Sequence, residues 1–308
     1  MLRIENLTKT YGSLRAVDNL NLELEAGDIM GFIGPNGAGK TTTIKMVSTL
    51  LKPDSGAAYV DGIDAGKYPE QVRPLLGYMP DFFGLYDDVK VWEYLDFFAA
   101  AYRIPPPKRP GLIGDVLELT DLTIKRDSFV SELSRGMQQR LCLAKTLVHD
   151  PRLLLLDEPA SGLDPRARIE IKELLKELRN MGKTILISSH ILPELADFCN
   201  KIAIIEQGKL VVSGDVNTIM EQCRGGTVLS ISLVDRVDEA VAFLEGLGTM
   251  SEVTAEGDQI TAKYTGVPGE HHSVLQELSA AGFKVRSFSE AEMDLEDIFM
   301  QVTRGAVS

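Results

Sequence analysis

The sequence predicts an α/β domain built around a parallel sheet, followed by a smaller α+β domain. Short apolar runs that are each followed by helical periodicity indicate repeated strand–helix–strand units. From residue 225 onward the pattern changes to strand, helix, strand, strand, helix, strand. The length of 308 residues is enough for about two domains, each with its own core.

The first elements are three short predicted strands, over Leu2–Leu7, Leu20–Leu24 and Ile29–Ile33, separated by turn-rich segments. The third strand runs into GPNGAGKTTT, and the apolar rhythm that follows predicts a helix. The order at this point is therefore strand, glycine-rich loop and helix.

A helical insert is predicted between about residues 89 and 148. It is interrupted by IPPPKRP, residues 104–110, which we predict to be a stiff, exposed and non-helical loop because proline removes backbone donors. A helical segment inside an α/β domain is the simplest account of this change.

The α/β pattern then resumes with Leu153–Leu156, an apolar run typical of a strand buried on both faces. A helix with a buried face at Ile171, Leu174, Leu175 and Leu178 follows, and TILISS predicts the next strand. Two further strands, 201–206 and 209–212, are predicted to turn on Gln207 and Gly208. We place the end of the first domain at residue 224.

The second domain, residues 225–308, carries a concentrated acidic excess. Its predicted strands and helices follow the βαββαβ order of ferredoxin-like folds. Strands are expected at 228–233 and 283–288, and a turn between the middle strands at 256–258. A final short helix is predicted over Asp294–Val302.

The composition excludes several classes of protein. The net charge of −13 argues against nucleic acid as a partner. The three cysteines have no paired metal-ligand spacing and are expected to be buried thiols in a reducing cytoplasm. No apolar run approaches the roughly 18 to 20 residues that span a bilayer, and we expect no secretory or transit leader.

The glycine-rich loop matches G-x-x-x-x-G-K-[ST] in the required strand-to-helix context. Its backbone N–H groups and the helix N-terminus would surround phosphate oxygens, Lys40 would bridge the β- and γ-phosphates, and Thr41 would contact Mg²⁺. The pattern predicts ATP and Mg²⁺ as ligands. The candidate binding residues here are Gly34, Asn36, Gly37, Ala38, Gly39, Lys40, Thr41 and Thr42.

Three further polar side chains follow predicted strands. Asp157 comes after the leucine strand, where its carboxylate would hold Mg²⁺, and Glu158 would polarise the attacking water. His190 ends TILISSH and would reach the γ-phosphate at the same sheet edge. The alternatives are that the two acids cap a turn and that the histidine is a satisfied core residue.

A second possible phosphate cradle begins at Ser134 and Gly136, at the start of a strongly helical stretch. One nucleotide hardly needs two cradles in one subunit, so the second is expected to serve a nucleotide held by another copy, giving a head-to-tail dimer. On its own, the segment would be a simple helix N-cap.

With these motifs in this order, residues 1–224 resemble the ATP-binding cassette (ABC) ATPases. The resemblance implies an ABC-type P-loop NTPase fold with a RecA-like core, an antiparallel β subdomain and a helical insert. It implies that Tyr11 stacks on adenine, that Lys40, Glu158 and His190 are catalytic, and that Asp164 belongs to the D-loop, residues 161–164. The other matching motifs are Walker A, 34–42, the signature, 133–137, and Walker B, 153–158.

The chain departs from the family pattern at two places. Asp81 stands where the family usually has the glutamine that links metal and membrane partner, and it is our least certain Mg²⁺ ligand. The signature is LSRGM where LSGGQ is commonest, so Arg135 is either solvated or adds charge near the partner copy's phosphate.

The C-terminal unit resembles the appendage of CcmA- and DrrA-type bacterial ABC ATPases, which serve exporters. It would be a regulatory ligand-binding domain, or a dimer-stabilising or partner-docking domain.

The main prediction is thus an ATPase subunit at the cytoplasmic face of the cell membrane. It closes as a homodimer, or as a heterodimer with a paralogous ATPase, and powers a separate polytopic permease. The rival is a soluble, non-transport ABC switch that regulates a protein partner through ATP-dependent dimerisation.

Overall fold

The computed structural model describes residues 1–82, 84, 86, 88–190, 195, 198–223, 227–267 and 269–290, with backbone alone for 220–223. The chain divides into two compact units, the first over Met1–Val216 and the second beginning at Asn217. The helix α7, Val216–Cys223, begins at this division. The boundary that we place at residue 224 stays a prediction.

The first unit contains two sheets and six α-helices in its described part. Its strands are β1 Leu2–Tyr11, β2 Leu14–Leu24, β3 Ile29–Ile33, β4 Ser55–Val60, β5 Ile63–Asp64, β6 Leu76–Met79, β7 Leu153–Asp157, β8 Thr184–Ser189, β9 Lys201–Glu206 and β10 Lys209–Asp215. Its helices are α1 Lys40–Val47, α2 Pro69–Val72, α3 Val91–Ala101, α4 Arg109–Leu119, α5 Arg135–Leu147 and α6 Pro165–Asn180.

The smaller sheet is antiparallel, with the order β2-β1-β4-β5. The strands β1 and β2 are longer than predicted because they remain paired up to Tyr11 and Leu14, so that Gly12 and Ser13 form a tight turn. Polar residues such as Lys9 kept the sequence from indicating this extension. In the structure, Lys9 of β1 pairs with Val17 of β2. The result is a hairpin that presents Tyr11 beside its turn.

The larger sheet has the order β10-β9-β3-β8-β7-β6, and all its neighbouring pairs are parallel except β10 with β9. The strands β3, β7 and β8 are buried along their whole length, which confirms that these apolar runs lie between two covered faces. Because β8 separates β3 from β7, the loops that follow these three strands meet at one sheet edge.

An apolar cluster joins the two sheets and α1. It includes Leu20 of the antiparallel sheet, Phe32 and Leu155 of the parallel sheet, and Ile44 of α1, all fully buried. The start of α1 is therefore held rigidly at the carboxyl end of β3.

The helical insert consists of α3, α4, α5 and short 3₁₀ turns at Pro106–Lys108, Thr123–Lys125 and Val130–Glu132. The prediction of a non-helical loop over 104–110 is wrong in part, since α4 begins at Arg109 with Pro110 in its first turn. Proline is tolerated there because N–H groups of the first turn have no partner within the helix. The exposure of residues 105–108 is as predicted.

The second unit follows the predicted βαββαβ order. Its elements are β11 Thr227–Leu233, α8 Val237–Glu245, β12 Met250–Glu256, β13 Gln259–Tyr264, α9 His272–Ala280 and β14 Val285–Glu290. The sheet has the antiparallel order β12-β13-β11-β14, which is the ferredoxin-like arrangement. The helix predicted at Asp294–Val302 lies outside the described residues.

Over the described ranges, no helix combines the length and the apolar character needed to cross a bilayer. Cys142 and Cys199 are buried free thiols, as predicted, whereas the side chain of Cys223 lies outside the described part.

Candidate functional site

The loop between β3 and α1 has a backbone that only glycine allows at two positions. A Cβ on Gly34 would overlap the carbonyl oxygen of Ile205, and a Cβ on Gly39 would overlap that of Ala16. Gly39 also has a φ of 106°, in the left-handed region that favours glycine. These glycines let the loop lie flat on the sheet edge, with the first turn of α1 directly behind it.

Lys40, the first residue of α1, is buried and folds back over this loop. Its Nζ donates to the carbonyl oxygens of Gly34 at 2.6 Å and Pro35 at 3.2 Å, and lies 3.6 Å from Oε1 of Glu158. Burial lowers the pKa of Lys40, and the Glu158 carboxylate opposes that shift. The ammonium group is thus positioned between the loop and a carboxylate, where an anionic ligand would meet it.

Asp157 ends β7 and is almost completely buried. Its Oδ1 accepts a hydrogen bond of 2.6 Å from Oγ of Ser188, whereas its Oδ2 is buried and has no hydrogen-bond partner. A buried carboxylate oxygen without a partner is costly unless a cation compensates it. Such a carboxylate oxygen fits Mg²⁺, which prefers oxygen ligands. Thr41 offers a hydroxyl in the cleft that the next residue, Glu158, also lines.

Glu158 follows with a φ of 51°, a left-handed conformation that is unusual for a non-glycine residue. Its backbone N–H donates to Ser188 Oγ at 3.0 Å, and its Oε2 lies 2.8 Å from Nδ1 of His190. The Glu158 carboxylate therefore has Lys40 on one side and His190 on the other. Such a carboxylate is held in a position to accept a proton from water.

Lys40, Glu158 and His190 line a cleft of about 440 Å³. Its lining consists of Tyr11, Leu14, Ala16, Asn36, Gly37, Ala38, Gly39, Lys40, Thr41, Thr42, Asp81, Glu158, Ser161 and His190. Tyr11 is half exposed, with Lys9 Nζ 5.8 Å from the centre of its ring. Its exposed surface offers an aromatic face to a flat ligand. The cleft thus joins an aromatic ring, a glycine loop with a lysine, and a carboxylate pair.

Five predicted residues are not among the described residues that line this cleft: Gly34 and Asp157, which precede lining residues in the chain, and Ser134, Gly136 and Asp164. Ser134 is the N-cap of α5 and accepts a 3.4 Å hydrogen bond from the Met137 N–H, with Gly136 in the first turn. Asp164 is the N-cap of α6 and accepts a 3.0 Å bond from the Ala167 N–H. Their roles toward a nucleotide stay predictions that require a second copy of the chain.

Ser188 is the main site residue that the sequence analysis missed. It is completely buried and its hydroxyl bridges both acids, accepting from the Glu158 N–H and donating to Asp157. The two serines of TILISSH were the available signal, because hydroxyls at the end of an otherwise apolar strand require polar partners. Ser161, Leu14 and Ala16 also line the cleft without having been predicted to bind.

The comparisons with known proteins agree with this geometry. A family model described as ABC transporter matches residues 17–161, and a model described as ATP-binding protein DrrA1-3-like, C-terminal domain, matches residues 214–303. The linearmycin resistance ATP-binding protein LnrL of Bacillus subtilis is 31% identical over 98% of both chains. The Nod factor export ATP-binding protein I of Burkholderia orbicola is 33% identical over 97% of this chain and 95% of its own length.

A solved structure supports the same relationship. The ATP-binding cassette MJ0796, in a dimeric post-hydrolysis state bound to ADP and Pi, matches with a TM-score of 0.64 and 27% identity. The match covers 70% of this chain and 99% of that cassette. The resemblance stated from the motifs is therefore confirmed, including its DrrA-type C-terminal domain. The chain belongs to the ATP-binding proteins of ABC transporters, and it is an ATPase.

Proposed function

We propose that this chain is the ATP-hydrolysing subunit of an ABC exporter, in which two copies close around two Mg-ATP molecules and drive a separate polytopic permease. The observation that carries the proposal is the Glu158 carboxylate, held between Lys40 and His190 at the end of the glycine-loop cleft. Export is supported by the names of the relatives, which describe linearmycin resistance and Nod factor export. The permease, its substrate class and the membrane-peripheral, cytoplasmic location belong to this proposal.

In the proposed reaction, the glycine-loop N–H groups and Lys40 bind the β- and γ-phosphates and offset their charge. Thr41 and Asp157, with Asp81 at the cleft edge, would hold Mg²⁺, which supplies Lewis-acid stabilisation of the phosphate oxygens when bound. Glu158 orients a water and withdraws its proton, and His190 holds the carboxylate through its 2.8 Å contact. Tyr11 stacks on the adenine ring.

The dimer is proposed because Ser134 and Gly136 stand at the N-terminus of α5, away from the residues described around this cleft. A cradle that serves the second copy would make each ATP a bridge between subunits, so that closure depends on nucleotide and hydrolysis reopens the pair. The dimeric structure of MJ0796 supports this arrangement.

The proposed surface for the permease is the segment 81–98, of which residues 83, 85 and 87 lie outside the description. Phe82, Tyr86 and Phe97 are exposed at 89%, 58% and 56%, and the Tyr86 and Phe97 rings lie 6.0 Å apart. Exposed aromatic rings that cluster in this way are typical of protein interaction sites. A helix of a membrane subunit would cover them.

The first test is the substitution Glu158→Gln, with Glu118→Gln on the exposed face of α4 as a matched control. We expect steady-state phosphate release to fall at least about a hundredfold, because general-base catalysis contributes about 10²- to 10⁴-fold. The same variant should form a stable dimer with Mg-ATP in size-exclusion chromatography. Normal turnover in Glu158→Gln, or monomers at saturating Mg-ATP, would contradict the proposed reaction.

The second test is an affinity pull-down from detergent-solubilised membranes of the native host, with mass spectrometry and ATPase assays in parallel. Recovery of a polytopic protein that alters turnover supports the transporter, and Phe97→Glu should abolish that recovery. Ile124→Glu, at a residue that is 87% exposed elsewhere in the insert, is the matched control. Active protein found only with soluble partners would instead favour the ATP-dependent dimerisation switch.

A further inference from the structure

The first residue of α5, Arg135, makes an unusual contact with the D-loop. A Cβ built on Gly162 would lie 2.6 Å from Cζ and 2.9 Å from Nη1 of Arg135, so the guanidinium occupies the space that any side chain at position 162 would take. Gly162 has a φ of 67°. The arginine that departs from the common signature thus contacts the backbone of a glycine, at a place where both residues are exposed to solvent.

Two neighbouring residues of α5 reinforce this contact. The Gln139 Nε2 donates a 2.5 Å hydrogen bond to the carbonyl oxygen of Pro159. Gln139 is buried, with 3% of its surface exposed. A Cβ on Gly136 would lie 3.2 Å from Cβ of Ala167, in the first turn of α6. One face of α5 therefore rests on the segment that runs from Pro159 to Ala167.

That segment begins directly after Glu158. At its start the Ser161 N–H donates to the Glu158 carbonyl oxygen at 3.0 Å, and at its end Asp164 caps α6. Gly162 lies between these two anchored points, where the Arg135 guanidinium contacts it. Any movement of the middle of the loop would be transmitted to the backbone that sets the Glu158 position.

Arg135 is exposed to solvent, and among the residues that the structure describes its guanidinium makes no hydrogen bond or ion pair. Its contact with Gly162 is therefore one of packing at an exposed surface, between a planar group and a backbone without a side chain. Lysine carries the same charge but no planar head, so charge and packing can be separated experimentally.

We propose that Arg135 is a positioning residue for hydrolysis, which keeps the D-loop seated on α5 and thereby holds Glu158 in place. The inference rests on the proposed function, because in the closed dimer Ser134 serves one nucleotide and Glu158 of the same chain serves the other. Arg135 then links the cradle offered to the second copy with the catalytic carboxylate of its own site.

The test measures kcat, the ATP KM and the Hill coefficient for Arg135→Ala, Arg135→Lys, Gly162→Ala and the double variant Arg135→Ala/Gly162→Ala. We expect each single variant to lower kcat about tenfold, since a displacement of about 1 Å in a catalytic group can cost about a hundredfold. The ATP KM should stay within about twofold, because both nucleotide-binding surfaces remain intact. The Hill coefficient should fall, because the contact that links the cradle helix to the D-loop is lost. Lysine should not rescue.

The double variant is expected to resemble either single variant, since an alanine at 162 displaces the arginine that the other change removes. Gly182→Ala is the control for backbone strain, because Gly182 has a φ of 84° and no atom within 4 Å of its Cβ position. It should keep kcat within about twofold. Thermal unfolding of every variant confirms that the chain folds.

Full activity in Arg135→Lys would assign the residue a charge role and overturn the proposal. Multiplicative losses in the double variant would overturn it as well, because they would make the two residues independent. A wild-type protein without ATP-dependent dimerisation would instead refute the proposed function, which separates the two failures.

Discussion

Replacing Ser188 by alanine removes a hydroxyl that bridges Asp157 and Glu158. The bond to the Asp157 carboxylate is 2.6 Å and the bond from the Glu158 N–H is 3.0 Å, and the serine is completely buried. A hydrogen bond to a charged group contributes about 1.5 to 3 kcal/mol and a neutral one about 0.5 to 1.5 kcal/mol. We therefore expect Ser188→Ala to lower the free energy of unfolding by about 2 to 4 kcal/mol.

The same substitution should also affect turnover. Without the hydroxyl, the Asp157 carboxylate can rotate and the Glu158 backbone loses its anchor, so that both acids are less well placed. If about half of the lost interaction acts on the transition state, kcat falls about 10-fold, because 1.36 kcal/mol corresponds to a factor of ten. The Mg²⁺ concentration for half-maximal activity should rise, since Asp157 is the proposed ligand.

The assay is phosphate release at saturating ATP across a Mg²⁺ titration, combined with urea unfolding. Thr184→Val is the matched control, because Thr184 lies at the other end of β8, is equally buried, and accepts only the Gly27 N–H at 3.0 Å. It should cost about 1 kcal/mol of stability and leave the rate and the Mg²⁺ dependence unchanged. Wild-type turnover and Mg²⁺ dependence in Ser188→Ala would refute the reasoning about how the acids are held.

Two further predictions concern the cleft mouth and the helical insert. Tyr11→Ala should weaken ATP binding about 5- to 150-fold in a fluorescent-nucleotide titration, because about 1 to 3 kcal/mol of base stacking is lost. Tyr11→Phe should bind ATP as the wild type does. An affinity in Tyr11→Ala equal to that of the wild type would exclude stacking. Burial lowers the pKa of His149, whose Nε2 lies 2.7 Å from the Leu76 carbonyl oxygen. As the pH falls below about 6.5, this histidine takes up a proton in the unfolded chain before it does so in the folded one, so the free energy of unfolding decreases. His149→Gln should therefore show a smaller drop in Tm between about pH 7 and 5.5 than the wild type. The control His272→Gln, at an exposed residue, should leave the drop unchanged. An unaltered drop in His149→Gln would contradict this account.

The elements that carry chemistry were predictable because their signals are local. The glycine loop, the acids after the leucine strand and His190 each follow a short apolar run within a few residues, and the parallel arrangement brings those strand ends together. The βαββαβ order of the second unit was also visible, since each of its helices has a clear apolar face, such as Ala240 and Leu244 in α8.

The strands β4, β5 and β6 were not predicted. The strands β4 and β6 form through partners that are distant in sequence, and β5 has two residues that pair with β4. Ala58 of β4 pairs with Ile4, which lies 54 positions earlier in the chain. Tyr78 of β6 pairs with Leu155, which lies 77 positions later. Neither segment is long or strongly alternating, so propensity alone could not identify them. Ser188 was missed for a related reason, since its two partners lie 30 and 31 residues earlier in the chain.

The left-handed backbone at Glu158 has a consequence for the evolution of this protein. A conformation of this kind costs an L-residue about 1 to 2 kcal/mol, and glycine would adopt it freely. The chain therefore carries a small, permanent loss of stability at the one position where the hydrolytic carboxylate has to stand. Glycine at position 158 would relieve that cost but would remove the hydrolytic carboxylate, so stability and turnover are opposed at this residue.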